Sequence, residues 1–400
     1  MSIPWRVPDV PRAVAWLFAV TSGLAVANVY YAQPLLDAIA DEFRISHATA
    51  GMLITWTQIG YGLGLLLVVP LGDIWNRRSL IIGQSILTAV ALVSIGVAPN
   101  RVVLLAGLAA LGLMSVVAQV IVAYAAILAP AAERGRVVGI VTSGIVIGIL
   151  LARTAAGAMS DLFGWRSIYF AAAGATLILA GLLLRVLPRV EAIPASVSYP
   201  KLIASMFTLL IEEPVLRVRG MLALFIFAAI TMLLTPLVLP LSAPPYLLSH
   251  TEVGLFGLAG AAGALGASRA GHEADLGFAQ RTTGVALTLM LAAWGLIALL
   301  PFSLWWLMIG VVVIDFGLQS VHVSSQSLIY QVRPEARSRL AAAYMIFYSI
   351  GCAAGSIAST LIYAKAGWNG VCTAGAGVSA LALIFWVVTK RGMDPVSSQR

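Results

Sequence analysis

One stripe of polar side chains interrupts an otherwise apolar stretch in the last third of the sequence. Within VIDFGLQSVHVSSQ, residues 313–326, polar side chains follow at steps of four, three and four residues, and they are Asp315, Gln319, His322 and Gln326. These steps place all four on one face of an α-helix. A carboxyl and an imidazole bind and release protons, and amides form hydrogen bonds with polar solutes. The stripe therefore predicts proton exchange, solute binding or both.

The rest of the sequence has the composition of a membrane protein. Hydrophobic residues make up 60% of the 400 residues, and charged residues only 10%, against roughly 25% charged in a soluble domain. Apolar runs of about 20 residues, the length that crosses a bilayer as a helix, follow one another along the chain. Twelve such runs can be placed: 13–33, 51–71, 79–98, 102–129, 137–158, 168–187, 217–239, 252–271, 282–300, 304–330, 339–363 and 369–389.

The basic residues predict how these helices are oriented. Of the 24 lysines and arginines, 19 fall in segments on one side, and we place Arg219 among them. Arg153 lies inside a predicted span. The opposite side holds Arg44, Arg101, Arg166 and Lys365. The positive-inside rule then makes the first side, with both termini, cytoplasmic. The formal charge of +8 is spread over many short segments, which disfavours a nucleic-acid-binding surface.

The sequence repeats itself at an offset near half its length. FRISHATAG, starting at Phe43, resembles YLLSHTEVG, starting at Tyr246, and Asp73 falls over Asp275. Further along, ERGR falls over EARSR. Three anchors in three loops at one offset predict two six-helix halves in the same orientation. The predicted domains are an N-terminal bundle at 1–187, a cytoplasmic linker at 188–216 with a short amphipathic helix at 201–211, and a C-terminal bundle at 217–400.

Two further features of the repeat carry expectations. Ser46 and Ser249 precede predicted helices and are expected to cap them, whereas the adjacent His47 and His250 are expected to decorate the membrane interface rather than bind ligands. Glycine ladders, which permit close helix contacts in lipid, recur in the second, fifth, eighth and eleventh helices. We expect these four helices to form the contact between the halves, with tight packing inside each half as the alternative. The ladder glycines are Gly60 and Gly64; Gly144 and Gly148; Gly254, Gly257, Gly260, Gly263 and Gly266; Gly351 and Gly355.

One loop motif resembles a known family. PLGDIWNRR, between the second and third helices, resembles the Gly-x-x-x-Asp-Arg-x-Gly-Arg-Arg signature of the major facilitator superfamily, with Val69 and Asn76 in place of two glycines. GHEADLGFAQR looks like a second, weaker copy. The resemblance implies an all-α membrane protein with 12 transmembrane helices in two pseudo-symmetric six-helix bundles. It also implies a cytoplasmic latch, unless the charges only fix topology, formed by Asp73, Arg77, Arg78, Asp275 and Arg281.

Other segments resemble one branch of this superfamily, the drug:proton antiporters, and within it the arabinose- and purine-nucleoside-efflux permeases. They are VYYAQPLLDAIADEF, TQIGYGLGLLLVVPLGD and VRPEARSRLAAAYM. Two motifs depart from the branch pattern. Leu108 stands where the fourth helix should have an arginine, and Ile149 replaces the proline of the fifth-helix antiporter motif. The direction of transport is therefore implied by the resemblance alone.

The charged and titratable groups inside the spans leave two roles open. A charge at the bilayer centre costs at least about 2.5–3.5 kcal/mol, so such groups usually face a cavity and mark function. In one hypothesis Asp315 and His322 form a proton relay. In the other, Asp315 pairs with Arg153 as a static clamp and His322 only binds substrate. Bonding of these groups to neighbouring helix backbones is the plain alternative.

The resemblance implies a central cavity lined by the first, fourth, seventh and tenth helices, with the second and eleventh at its rim. Amides and tyrosines among apolar walls favour an uncharged or weakly charged amphipathic solute. The candidate substrate-binding residues are Asn28, Tyr31, Gln58, Ser115, Gln119, Thr231, Thr235, Gln319, Gln326, Tyr344 and Tyr348.

These observations favour a secondary transporter that exports a small amphipathic molecule in exchange for protons. We expect it to act by alternating access, as a monomer, in a bacterial inner membrane. The alternative within this class is an importer or uniporter of a sugar or nucleoside. An enzyme is disfavoured because the sequence has no metal motif, phosphate loop or nucleophile elbow, and no cofactor is expected. A receptor or scaffold is disfavoured by the repeat and the polar stripe.

Overall fold

The computed structural model describes residues 12–129, 133–187, 198–333 and 337–390, and within these ranges the chain is helical without strands. Two 3-10 turns, Val69–Asp73 and Phe256–Ala259, interrupt the series. The α-helices are α1 Arg12–Ala27, α2 Leu36–Glu42, α3 Met52–Leu67, α4 Arg77–Gly96, α5 Arg101–Ser115, α6 Val117–Leu128, α7 Arg134–Phe163, α8 Arg166–Val186, α9 Tyr199–Glu212, α10 Pro214–Leu234, α11 Val238–Ser242, α12 His250–Leu255, α13 Gly260–Asp275, α14 Ala279–Ile297, α15 Leu304–Val332 and α16 Arg337–Thr389.

Each predicted apolar run contains α-helix, although the first run continues for six residues beyond the end of α1 at Ala27. In the described part of the chain, eight helices are long and apolar enough to cross a membrane. The longest, Arg339–Thr389, covers two predicted runs. The two runs meet at Gly367, where α16 turns. The φ of Gly367 is 61°, which glycine adopts readily but which is strained for other residues. The predicted run at 252–271 is divided into α12 and α13 by the 3-10 turn at Phe256–Ala259.

The predicted short helix at 201–211 is present as α9. Its Met206 and Leu209 are buried, while Phe207 and Ile211 are exposed, so the helix has one apolar face packed inward and another turned outward. Residues 188–197 of the predicted linker, and the termini at 1–11 and 391–400, lie outside the described residues. Below, the side with few basic residues is called the outer side, after the predicted orientation.

Six of the ladder glycines pack helices that lie on the same side of the linker. Each of their positions brings a carbonyl oxygen of the next helix so close that an added Cβ would lie 2.0–2.5 Å from it. At these six glycines the contact is the alternative one, close packing on one side of the linker. They are Gly60 and Gly64 against α5, Gly144 and Gly148 against α1, and Gly351 and Gly355 against α10.

Helices before residue 188 meet helices after residue 216 along two lines, which together we call the seam. In the first line α7 packs against α12, where a Cβ on Gly157 would lie 2.2 Å from the His250 carbonyl oxygen. Gly254 makes the reciprocal approach to Arg153. In the second line α3 packs against α16, where Ser356 Oγ donates to the Gly51 carbonyl at 3.0 Å. The four helices expected at this contact therefore form it, through Gly254 of the ladders and through Gly51 and Gly157 outside them.

Candidate functional site

The polar stripe lies on α15, and its four side chains are half-buried. His322 is held by two neighbouring helices. Its Nδ1 is 3.0 Å from the hydroxyl of Tyr344 on α16, within hydrogen-bond distance. The edge of its ring packs against Phe227 of α10, with ring centroids 5.3 Å apart. His322 is therefore fixed in orientation by one hydrogen bond and one aromatic contact.

Aromatic rings continue from His322 across the seam. Phe227 packs edge-on against Tyr348, with centroids 4.4 Å apart, and Tyr348 packs in turn against Tyr61 of α3 at 6.1 Å. The hydroxyls of Tyr348 and Tyr30 are 2.8 Å apart. We call this set the aromatic cluster, and it consists of Tyr30, Tyr61, Phe227, His322, Tyr344 and Tyr348. It joins α10, α15 and α16 to residues from before the linker, so a movement at the seam must break or rearrange it.

Arg153 lies at the edge of the aromatic cluster on the same seam. Its guanidinium lies over the ring of Tyr30, 5.0 Å from the centroid, an arrangement that stabilises a cation. Its Nε donates to Gln33 Oε1 at 2.7 Å. The aliphatic part of the side chain packs on Gly257, where a Cβ would lie 3.1 Å from Cδ. Sequence reasoning identified Arg153 but missed Tyr30 and Gln33, which orient it.

Asp315 packs on Gly260 and Gly263, which follow Gly257 in the same glycine ladder. An added Cβ on Gly263 would lie 2.5 Å from Asp315 Oδ2, and one on Gly260 would lie 3.2 Å from it. This Oδ2 is buried and has no hydrogen-bond partner. Among the described residues no ion pair within 4.0 Å joins Arg153 to Asp315, so the predicted static clamp is not formed in this conformation. The ladder glycines of the eighth predicted helix thus provide space for the side chains of Arg153 and Asp315.

Two of the predicted substrate-binding amides are buried and have atoms without hydrogen-bond partners. Neither amide atom of Asn28 forms a hydrogen bond, and Oε1 of Gln58 is also unpaired. Burying a polar group without a partner is costly, so these amides are suited to a polar guest. Gln119 and Gln326 are half-buried on α6 and α15.

Three hydroxyls on the predicted list bond within the protein instead. Ser115 Oγ donates to the Leu111 carbonyl and Thr231 Oγ1 to the Phe227 carbonyl, each at 2.7 Å and one turn back in its own helix. Thr235 Oγ1 donates to Ser356 Oγ at 3.3 Å. For these three the plain reading, in which a hydroxyl serves local packing, accounts for the contacts. Pro236, directly after Thr235, lies in the break between α10 and α11.

Of the two neighbouring tyrosines after α1, the sequence predicted a substrate-binding role for Tyr31 and none for Tyr30. Tyr31 packs edge-on against Tyr169 at 6.3 Å and lines an apolar cavity of about 310 Å³ between α1 and α7. Tyr30 is the residue that reaches the aromatic cluster. The physical reason is that α1 ends at Ala27. Beyond that residue the helical period no longer determines which way a side chain points.

Arg219, which was assigned to the basic residues of the cytoplasmic segments, lies buried inside a helix. The sequence places it in a cytoplasmic segment, but α10 begins at Pro214, and Arg219 lies fully buried in its second turn. Its Nη1 donates to Thr283 Oγ1 at 3.1 Å, while its Nε and Nη2 have no partner. The missed signal is the helical spacing of Leu216, Arg219 and Ala223, which share one buried face.

The predicted latch is described only in part. The side chains of Asp73 and Asp275 lie outside what the structure describes. Arg77 Nε donates to the Gly72 carbonyl at 2.7 Å, and Arg78 donates to the Leu184 carbonyl on α8. Arg281 is exposed at the start of α14. The described contacts of Arg77 and Arg78 therefore connect the loop between the second and third predicted helices to neighbouring backbone. The latch stays a prediction.

A chain of apolar helices, with a buried polar and aromatic site at the seam between two groups of them, defines a multi-pass membrane transporter. Residues 16–331 and 246–400 match the Major Facilitator Superfamily, and the chain belongs to that family. Membership of a family of transporters confirms the prediction that the protein is not an enzyme. It also confirms the predicted all-α transporter fold.

Relatives and solved structures that are similar to this chain agree with this assignment. The chain is 43% identical over 378 residues to the putative uncharacterized transporter YgaY of Escherichia coli K12, covering 94% of this chain and 96% of the relative. It is 30% identical to the probable transporter SCO4007 of Streptomyces coelicolor, covering 93% and 86%. A bacterial homologue of the human lysosomal transporter Spinster, in an inward-facing and occupied conformation, has the same fold, with a TM-score of 0.78, 16% identity and 98% of each chain covered.

Proposed function

We propose that this transporter exports a small amphipathic molecule in exchange for protons. It does so by alternating access, through rocking of two six-helix halves, 1–187 and 217–400, about the seam. It acts as a monomer in a bacterial inner membrane, with both termini and the linker at 188–216 in the cytoplasm. This places it in the drug:proton antiporter branch, as the resemblance of its loop and helix motifs implies.

The observation that carries the proposal is the unpaired carboxylate of Asp315. Its buried Oδ2 has no donor in this conformation, so it has a free lone pair where a proton can bind. Movement at the seam would change its surroundings, because Gly260, on which Asp315 packs, also packs against Leu150 of α7, which comes from before the linker. A carboxyl group that binds a proton in one conformation and pairs with a cation in the other couples proton movement to alternating access.

The aromatic cluster and the amides support the substrate class. Aromatic rings offer large apolar contact area, and the unpaired amides of Asn28 and Gln58 offer a few hydrogen bonds. Few polar groups on an apolar, aromatic lining are typical of sites for small organic molecules. The proposed substrate site therefore includes Tyr30, Tyr348 and His322 together with these two amides.

Exchange assays in proteoliposomes test the substrate class. With chloramphenicol as an uncharged amphipathic probe, we expect counterflow that exceeds that of inosine or arabinose. Tyr348→Leu removes one aromatic contact and should weaken binding several-fold, since aromatic pairs contribute about 0.5–1.5 kcal/mol. Phe207→Leu is the control, because Phe207 is exposed on α9 and is not part of the cluster. Exchange of inosine or arabinose without chloramphenicol would instead support the sugar or nucleoside alternative.

A further inference from the structure

A histidine at the outer end of the seam has both ring nitrogens on carboxylates. His250, the first residue of α12, places Nε2 3.1 Å from Asp37 Oδ1 and Nδ1 3.0 Å from Asp161 Oδ1. Asp37 belongs to α2 and Asp161 to the end of α7, so both carboxylates come from before the linker and the imidazole from after it. The sequence predicted only an interfacial role for this histidine, and the structure contradicts that expectation.

The protonation state of His250 follows from this geometry. A neutral imidazole has one N–H donor and one acceptor nitrogen, whereas the imidazolium donates from both. Two carboxylate oxygens can only accept, so the neutral form would leave one nitrogen lone pair facing an oxygen. Both hydrogen bonds can form only when His250 is an imidazolium, with a proton on each ring nitrogen.

The two carboxylates are themselves held in place for this contact. Asp161 Oδ2 accepts from the backbone N–H of Thr251 at 2.8 Å and from its Oγ1 at 2.6 Å, so it also binds the N-terminus of α12. Asp37 Oδ2 accepts from Ser242 Oγ of α11 at 3.1 Å. Every one of these bonds crosses the seam, and all of them must break for the outer side to open there.

We propose that His250, Asp37 and Asp161 form a proton-binding site that holds the seam shut at its outer end, so that the closed outer side binds one proton more than the open outer side. Protons outside the cell then favour the outward-closed conformation. This site is separate from Asp315, which lies deeper along the seam. The proposal rests on the alternating access of the proposed function and adds a site where external pH sets the resting conformation.

Other charged groups near His250 are already engaged. On its own helix, Glu252 caps Ser249 by accepting from its backbone N–H at 2.8 Å. On α2, Asp41 and Glu42 face other partners, His47 and Arg166. On α7 the next charge inward is Arg153, bonded to Gln33, and neither α11 nor the 3-10 turn after α12 has a charged residue. The two carboxylates are therefore what the imidazole faces.

The sign of the pH effect follows from the contacts. The hydrogen bond to Asp37 raises the pKa of His250 above its ordinary value, against the opposing effect of burial. Burial alone would raise the pKa of Asp37, but its bonds to His250, the Ala38 N–H and Ser242 together lower it. Opening returns the histidine to an ordinary pKa of about 6.5. The stabilisation of the closed form is thus complete below about pH 6.5 and is lost as pH rises through the higher pKa of the closed form.

The internal repeat supplies a comparison. At the offset of 203 residues His250 corresponds to His47. His47 is exposed, and its closest carboxylate, 3.9 Å away, is Asp41 of the same segment. The positions equivalent to Asp37 and Asp161 are Pro240 and Ala364, which cannot hold an imidazolium. His47→Gln is therefore a matched control for His250→Gln.

Spin-label distances across the outer side test the proposal in the full-length protein. Val102→Cys and Phe302→Cys introduce labels at exposed positions on either side, 70% and 81% accessible, while the native Cys352 and Cys372 are buried. We expect the ratio of short to long distances to rise by up to tenfold per unit as pH falls from about 8.5 to about 6.5. His250→Gln should remove this dependence, and His47→Gln should keep it. Should His250→Gln fail to fold, Asp37→Asn is expected to flatten the same curve.

Three results would overturn the proposal. Two distance populations whose ratio ignores pH would exclude the proton site while leaving alternating access intact. A pH dependence that is unchanged in both His250→Gln and Asp37→Asn would assign it to another group. A single distance at every pH, with and without chloramphenicol, would contradict this proposal and the alternating access on which it rests.

Discussion

Replacing Asp315 by asparagine is expected to slow transport driven by a pH gradient strongly while leaving the protein folded. Asparagine has the same shape but cannot carry a proton, and the unpaired Oδ2 shows that no hydrogen bond to this oxygen is lost. The rate of gradient-driven chloramphenicol transport should fall by about tenfold or more, which is about 1.4 kcal/mol in activation free energy. Exchange of labelled for unlabelled chloramphenicol, which needs no net proton movement, should persist.

The exposed carboxylate of Asp41 provides the matched control for this substitution. Its side chain is 75% exposed, so Asp41→Asn makes the same chemical change outside the site, and gradient-driven transport should be unaffected. A second comparison, His322→Gln, separates the two hypotheses for the stripe. In the relay hypothesis it should lose gradient-driven transport as Asp315→Asn does. If Asp315→Asn responds to pH as the native protein does, Asp315 has no part in proton coupling.

Adding one methyl group at Gly148 should lower stability strongly. A Cβ there would lie 2.2 Å from the Gly23 carbonyl oxygen and 2.7 Å from its Cα, so α1 and α7 would have to move apart. The obstacle is backbone on both helices, and no side chain can rotate away. Overpacking of this kind typically costs about 1–3 kcal/mol. We expect Gly148→Ala to lower the thermal unfolding temperature measured in detergent by differential scanning fluorimetry.

A glycine in the same helix serves as the control for this prediction. Gly139 of α7 has no atom within 4 Å of an added Cβ. Because alanine is favoured over glycine in a helix by roughly 0.5–1 kcal/mol, Gly139→Ala should leave the unfolding temperature equal or slightly higher. Equal unfolding temperatures for the two variants would show that α1 and α7 are not in close contact.

The helices could be predicted from the sequence because one physical rule governs them. In lipid every backbone polar group must be satisfied within the segment, so each apolar run of sufficient length becomes a helix. The same rule says little about helix ends, and the errors fall there. Tyr31 was preferred to Tyr30 because the end of α1 at Ala27 was not foreseen. Arg219 was grouped with the basic residues of the cytoplasmic segments because it stands near the start of the predicted run, but α10 begins three residues before that run and buries it.

The stripe on α15 and Arg153 could be identified because a charge or imidazole inside an apolar run is rare. The contacts made by these residues could not, because they depend on pairs far apart in the chain. His322 with Tyr344 and Arg153 with Gln33 are examples. His250 was underestimated for the same reason. Its partners Asp37 and Asp161 lie 213 and 89 residues away and belong to α2 and α7. The sequence next to His250 does not indicate either of them.

The central claim, exchange of a small amphipathic molecule for protons, is tested most directly by following pH inside proteoliposomes. Chloramphenicol is added outside, with no imposed pH gradient and with the membrane potential clamped by potassium and valinomycin, and a trapped pH-sensitive dye is read. Exchange predicts that the lumen becomes more alkaline as chloramphenicol enters, and that Asp315→Asn abolishes this change. A lumen pH that stays constant or falls while chloramphenicol enters would contradict the account.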